Sequence, residues 1–355
     1  MMTAIHLSHL IEQGRAELLA RHRQHLTAHQ RRALDAMARC RTGALGATVM
    51  ACSDCSHREV RLRACGHRSC PRCQQHAAND WLERQRAKLL PVDYFMVTFT
   101  LPAALRRLTY RNSRHIHDLL FHTAIDTLRS FGRRHAELTA ELAGTAVLHT
   151  HNRQLDYHPH LHVIVPGAGV DRKQCWRRLK GRYLFNGKAL AQVFRARFIK
   201  GLKQAGFALP EGCPSRWVVQ CQHVGHGLPA LKYLSRYLYR GVVAEKQIVA
   251  FDPHARTVTF RYQHSKTRQL GLRTLPLVEF LWRLMIHVLP CGYRRVRDFG
   301  FLHGNARRRR AIIQIALRVV IPPSPPRTAL SFLCSTCQRA MTAVHVLNAG
   351  PRPAT

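Results

Sequence analysis

Acidic residues are scarce in this chain. Among its 355 residues, 19 Asp and Glu stand against 56 Lys and Arg, for a formal net charge of +37. That shortage excludes an ordinary solvated surface, which mixes both signs, and self-repulsion on this scale works against a compact fold. The implied partner is polyanionic. Nucleic acid comes first, because the cationic excess is mostly Arg, whose guanidinium pairs phosphate bidentately and stacks on bases. Long apolar runs are missing as well. The longest, Ala311 to Pro323, is interrupted by Gln314 and Arg318 and is too short to span a bilayer. The stretch Met1 to Glu17 has no continuous apolar core of the kind a signal peptide carries. No basic amphipathic helix of the usual membrane-surface kind stands out. A dispersed disulfide framework is also lacking. Of twelve cysteines, seven lie at 52–73 and 334–337, and such clustering points to metal binding in a reducing compartment.

The length allows two or three domains with cores of their own. Residues 3–39 read as one or two helices, with Leu7, Leu10, Ile11, Leu18, Leu19 and Leu26 at near-helical spacing. Over 40–76 that periodicity disappears and Cys, His, Arg and Gly take over, a composition that needs a staple to hold a fold. Cys52-Ser53-Asp54-Cys55 and Cys70-Pro71-Arg72-Cys73 are two CxxC turns separated by fourteen residues. This is the spacing of a four-cysteine zinc ribbon or treble-clef-like site. One Zn²⁺ held by Cys52, Cys55, Cys70 and Cys73 is therefore expected, with Cys65 as a reserve ligand. A redox CxxC is the minor reading. Cys334 and Cys337 make a third such turn without a visible partner pair, which leaves redox chemistry, a shared ion and chance open.

Further along, Tyr94–Thr100 is β-branched and aromatic and reads as a buried strand. Helical patterning covers 77–92, 104–142, 188–205 and 276–288, and further strands are expected at 145–151, 160–165 and 216–223, with a hairpin at 257–263 and 269–275. Residues 171–187 interleave Arg and Lys with Trp176 and Tyr183, which suits single-stranded DNA through phosphate contacts and stacking, although an ordinary solvated loop is an even alternative. Arg307 to Arg310 open a basic helix, and 321–328 reads as a Pro-rich linker.

Two stretches carry chemistry. In Tyr157-His158-Pro159-His160-Leu161-His162-Val163-Ile164-Val165, residues two apart share a face of a strand. His160, His162 and Ile164 then point one way and Leu161, Val163 and Val165 the other, so two imidazoles stand side by side as half of a metal site. In a chain with 24 histidines, chance gives such pairs too. In Leu231-Lys232-Tyr233-Leu234-Ser235-Arg236-Tyr237-Leu238, the leucines form the buried stripe of a helix over 229–240, and Tyr233 and Tyr237 sit one turn apart on its flank. Alone, that pair reads as two half-buried tyrosines. Either stretch alone is a weak signal, but the two in this order in so basic a chain are expected to belong to one active site. A divalent ion on the histidines polarises a phosphodiester, and it helps a phenol of ordinary pKa about 10 to attack and conserve the bond as a phosphotyrosine.

The order of these blocks resembles the two-tyrosine HUH transposases of rolling-circle insertion sequences, the IS91 type. The resemblance rests on the cysteine module ending in Arg68-Ser69-Cys70-Pro71-Arg72-Cys73-Gln74, and on the strand from Asp93 to Pro102. It rests also on His149-Thr150-His151 running into the histidine strand, and on Leu231 to Tyr237. The stretch Val296 to Leu302 is similar as well. The resemblance implies an α+β fold: an HUH-endonuclease catalytic domain with a ferredoxin-like antiparallel sheet and flanking helices, behind an N-terminal helical and zinc-ribbon module. The expected division is 1–90 for helical and zinc-binding DNA recognition, 91–305 for catalysis, and 306–355 for a basic helix, linker and CxxC tail. His160 and His162 match the family's metal pair for Mg²⁺ or Mn²⁺, and Tyr233 and Tyr237 match its nucleophiles. For the third ligand His149, His151 and Gln154 are candidates, with His149 favoured and His158 regarded as a neighbour. Ser69 stands where family members often carry His. The implied activity is cutting and joining of single-stranded transposon ends in the bacterial cytoplasm, at the nucleoid. A replication initiator or relaxase with the same chemistry is the alternative, and after it a non-enzymatic zinc-ribbon protein that binds nucleic acid.

Overall fold

The computed structural model describes residues 5–239, 242–264, 267, 269–320 and 332–349. The chain divides into two compact units, each assembled from separate stretches. One takes residues 1–76, 240–288 and 323–355, and the other 77–239 and 289–322. This differs from the expected linear division at 90 and 305. The cause lies in residues 248–285, whose apolar faces pack with the N-terminal helices.

In the first unit, Leu7–His22 buries Leu7, Leu10, Ile11 and Leu18. It meets the helix Leu277–Met285 where Gly14 lets the two backbones come close: a Cβ at Gly14 would lie 2.6 Å from Leu281 Cδ1. The helix Ala28–Ala38 starts at a capping box of Thr27 and Gln30, and Gln30 Nε2 also donates to the Met285 carbonyl at 2.8 Å. Ile248–Asp252, Thr257–Gln263 and Leu270–Pro276 form an antiparallel meander, the last two strands falling on the expected hairpin. A four-stranded sheet has the order Phe332–Leu333, Ala340–Leu347, Ala47–Cys52, Arg58–Leu62. The Pro-rich stretch 321–328 lies outside the described residues.

The second unit is organised on an antiparallel five-stranded sheet of order Val296–Phe299, Gly144–His151, Tyr157–Pro166, Tyr94–Thr100, Val218–His223. The histidine strand is central, with the two strands at 144–151 and 94–100 as its antiparallel neighbours. Period-two alternation assigns its faces. Leu161, Val163 and Val165 join Phe95, Val97 and Phe99 in a core closed by the helices Ser113–Arg134 and Gly187–Gln204. Val147 and Ile164 point the opposite way, into a second core with Leu231, Leu234 and Leu238 of the helix Leu228–Tyr239. The patterned helix over 104–142 ends earlier, at Arg134, and Ala140–Leu142 pairs instead with Ala168–Asp171. The basic helix Arg307–Ala316 is present. No helix among the described residues is long and apolar enough to cross a membrane.

Candidate metal centres

Three imidazoles converge on one face of the five-stranded sheet. The register sets His149 opposite His160 and Val147 opposite His162, and residues directly opposed across antiparallel strands share a face. The ligand atoms of His149, His160 and His162 lie within 4.8 Å of one another. Ring centroids are 4.5 Å apart for His149 and His162, 4.9 Å for His160 and His162, and 5.2 Å for His149 and His160. His160 Nδ1 is 2.6 Å from the His158 carbonyl. A carbonyl only accepts, so Nδ1 carries the proton and Nε2 keeps its lone pair. Thr98, on the neighbouring strand, places its hydroxyl 2.9 Å from His162 Nδ1 and so orients that ring.

Burial holds all three imidazoles below their ordinary range. His162 is lowered to about 4, and His149 and His160 lie well below their usual value, with repulsion among the rings added to the burial. Neutral imidazole is the form that ligates a metal. The donor set fits a divalent ion. It holds no carboxylate among the described residues, and imidazole favours transition ions over Mg²⁺.

Of the three candidates for a third ligand, His149 is the one grouped with the pair. His151 lies past a register shift in its strand, and its Nδ1 is 3.0 Å from the Asn152 carbonyl. Gln154 belongs to the following turn, where its N–H donates to Asn152 Oδ1 at 2.9 Å. His158 stands beside the group, its ring 5.1 Å from that of His160.

The tyrosine helix lies over this same face. Its leucines are buried with Val147 and Ile164, which share the side of the histidines. The Tyr233 ring stands perpendicular to that of His162 with centroids 6.1 Å apart, and the residue is 40% exposed. Tyr237 follows one turn later in the helix, but its side chain lies outside the described residues. Arg295, which carries no signature in the sequence, joins strand to helix. Its Nη1 donates to the Leu238 carbonyl at 2.8 Å, and its own carbonyl accepts from the Leu148 N–H at 2.9 Å. A cation at a helix C-terminus also opposes the negative end of the macrodipole. The basic stretch at 171–187 is only partly available for stacking: Trp176 packs edge-on against Phe301 at 5.7 Å, while Tyr183 is exposed.

The cysteines form two quartets, which corrects the single site expected from Cys52, Cys55, Cys70 and Cys73. Cys70 and Cys73 join Cys40 and Cys65, and Cys52 and Cys55 join Cys334 and Cys337. The hairpin of Ala47–Cys52 and Arg58–Leu62 explains the split. Its closed end carries Cys52 and Cys55, while Cys65 follows at the open end, where Ala47 pairs with Leu62. A strand rises about 3.3 Å per residue, so the two ends stand too far apart to share one ion. Cys65 is thus a full member of a quartet, and Cys40 was missed because it stands alone in the sequence. The eight cysteines of these two groups, twice four, are the signal that would have found it. In the first quartet Cys40 lies 3.6 Å from Cys73 and 3.7 Å from Cys70, and Cys65 lies 3.7 Å from Cys73. Tetrahedral Zn–S bonds of about 2.3 Å require sulfurs roughly 3.8 Å apart, so this donor set fits Zn²⁺.

A family described as a transposase zinc-binding domain matches residues 10–101, and one described as a putative transposase matches residues 144–310. The chain is 36% identical over 331 residues to the putative transposase y4qJ of Sinorhizobium fredii, covering 85% of this chain and 82% of that protein. It is 28% identical over 289 residues to the transposase for insertion sequence element IS801 of Pseudomonas savastanoi pv. phaseolicola, covering 75% of this chain and 68% of that protein. No solved structure matches.

Proposed function

The chain belongs to the IS91-type transposases, which carry a zinc-binding domain before the transposase domain, and from that membership we propose that it cuts and rejoins single-stranded DNA at the ends of its insertion sequence by tyrosine attack, as in rolling-circle transposition. The observation that carries this reading is the Tyr233 ring set 6.1 Å from that of His162, on the face that gathers His149, His160 and His162. We read the five-stranded sheet as the ferredoxin-like core of an HUH nuclease on that ground.

The residues divide the work as follows. His149, His160 and His162 would hold a divalent ion, Mn²⁺ or Mg²⁺, which when bound would polarise the scissile phosphate. Thr98 and the His158 carbonyl fix the ring orientations of His162 and His160. The Tyr233 or Tyr237 oxygen attacks phosphorus, and the bond from phosphorus to the 3′ oxygen breaks. The phenolic proton passes to solvent, the departing 3′ oxygen takes one up, and a 5′-phosphotyrosine remains. With two tyrosines one turn apart, the second receives another strand before the first is released. Arg295 keeps the helix over the histidines, and the surplus of Arg and Lys binds the phosphate backbone. Cys40, Cys65, Cys70 and Cys73 hold the Zn²⁺ of the N-terminal domain. Relatives described as transposases favour this biology over that of a replication initiator or relaxase.

The test is a labelled single-stranded oligonucleotide carrying the element's own end sequence, incubated with the protein and Mn²⁺. A covalent adduct that survives denaturation is expected from the wild-type chain and not from the Tyr233→Phe, Tyr237→Phe double variant. Absence of any adduct with authentic ends overturns the proposal.

A further inference from the structure

The tail at 332–349 has little apolar surface with which to hold its place. Ala340–Leu347 pairs with Ala47–Cys52 from Ala47 opposite Leu347 to Cys52 opposite Met341. Of its eight residues only Met341 is buried. The core under this junction consists of Met50, Cys52, Cys334 and Met341, with Phe332 and Cys337 packed against it. So small a core does not hold a strand added across some 280 residues of intervening sequence. The surrounding polar contacts add little. Arg339, largely exposed, and Asp54, about half exposed, approach to 3.4 Å, and an ion pair on the surface adds little to stability. Ser335 Oγ lies 3.2 Å from His57 Nε2.

What joins the tail to the hairpin is sulfur. Cys52 Sγ lies 3.5 Å from Cys337 Sγ, and Cys55 Sγ lies 3.5 Å from Cys334 Sγ. The four sulfurs lie within 4.8 Å of one another. A disulfide would bring one pair to about 2.05 Å, whereas equal spacings across two pairs are those of a tetrahedron about one ion. Each side is a CxxC turn. In the tail turn the Thr336 N–H donates to Cys334 Sγ at 3.4 Å, which supports a thiolate.

We propose that Cys52, Cys55, Cys334 and Cys337 bind a second structural Zn²⁺, separate from the ion of the Cys40, Cys65, Cys70 and Cys73 quartet, and that this ion fastens the C-terminal tail to the N-terminal hairpin. The matched zinc-binding domain ends at residue 101, so half of this site is supplied from outside it. The tail is thereby an integral strand of the zinc unit, and a chain cut before residue 332 exposes the Cys52 turn and loses both the ion and the ladder.

Zinc content of the purified full-length chain tests this. The His160→Ala, His162→Ala background is used so that only thiolate sites count. Two tightly held Zn²⁺ per chain are expected. Cys334→Ser with Cys337→Ser lowers this to one, as does Cys40→Ser with Cys73→Ser, and combining all four removes both. One Zn²⁺ per chain in the parent, or two retained after the tail substitutions, overturns the proposal. A second measurement covers variants that fail to fold. In the native unmutated chain, Cys337 should resist alkylation until a chelator strips the zinc, while exposed Cys291 and Cys175 react from the start. Alkylation of Cys337 as fast as Cys291 without chelator also overturns it.

Discussion

His149 stands directly opposite His160 across two antiparallel strands, and the ring centroids are 5.2 Å apart. That cross-strand pairing turns a histidine pair on one strand into a three-membered donor set. His149→Ala should weaken Mn²⁺ binding by more than the roughly 10–100-fold typical of losing an outer partner, and Thr98→Val should fall within that range. His151→Ala and Gln154→Ala should leave affinity within about 2-fold, since neither joins the group. Calorimetric titration of the four variants checks the ranking. An unchanged affinity in His149→Ala would return the third-ligand role to another side chain.

An all-imidazole donor set also has a metal preference. Mg²⁺ is a hard ion that holds to oxygen ligands, whereas Mn²⁺, although the weakest binder of the first-row transition ions, accepts imidazole nitrogen more readily than Mg²⁺ does. Adduct formation should therefore saturate at a Mn²⁺ concentration at least about 10-fold below that needed for Mg²⁺. Equal half-saturating concentrations would indicate that DNA oxygens or an additional carboxylate dominate the coordination.

Arg295 is predicted to act on geometry. Its bond to the Leu238 carbonyl holds the end of the tyrosine helix. Arg295→Leu should slow adduct formation about 10-fold or more, because small misplacements of a nucleophile cost this much. Mn²⁺ affinity should stay nearly constant. A parallel loss of metal affinity would mean that Arg295 instead supports the strand carrying His149.

Acid should destabilise the fold through His117. Burial holds this side chain at about 3, with Nε2 3.2 Å from the Tyr157 hydroxyl, whereas an unfolded histidine titrates near 6.5. Between these values the unfolded chain binds a proton that the native chain refuses, so stability falls as pH drops from about 6.5 towards 3. At pH 5 the difference amounts to about 2 kcal/mol for this one group. Urea unfolding at pH 7.5 and pH 5 should show a fall in stability smaller by about that amount in His117→Phe. An identical fall in both proteins would contradict the assignment.

Much of the unit formed by residues 77–239 and 289–322 was legible because its signals are local and periodic. Alternation in 160–165 assigned both faces of the central strand, and Leu231, Leu234 and Leu238 marked the buried side of the tyrosine helix. The cysteine pairing was not legible. CxxC spacing identifies a turn that presents two thiolates, but not which other turn it meets, and the hairpin between Cys52 and Cys65 separates turns that are adjacent in sequence. Cys40 had no local signature, and Cys334 and Cys337 find their partners only through strand pairing across almost the whole chain. The two-unit division was hidden for the same reason: the helix Leu277–Met285 packs on Leu7–His22, and only the fold brings them together. Arg295 acts through a backbone carbonyl, which leaves no mark in composition.

The central claim is that a tyrosine of the helix over the three histidines becomes joined to DNA. Protein incubated with Mn²⁺ and a single-stranded element end, then digested with nuclease and protease, should yield a peptide from 228–239 carrying a nucleotide through a phosphate on Tyr233 or Tyr237, at the nucleotide's 5′ side. A nucleotide found on a residue outside that helix, or linked through its 3′ phosphate, would contradict the account.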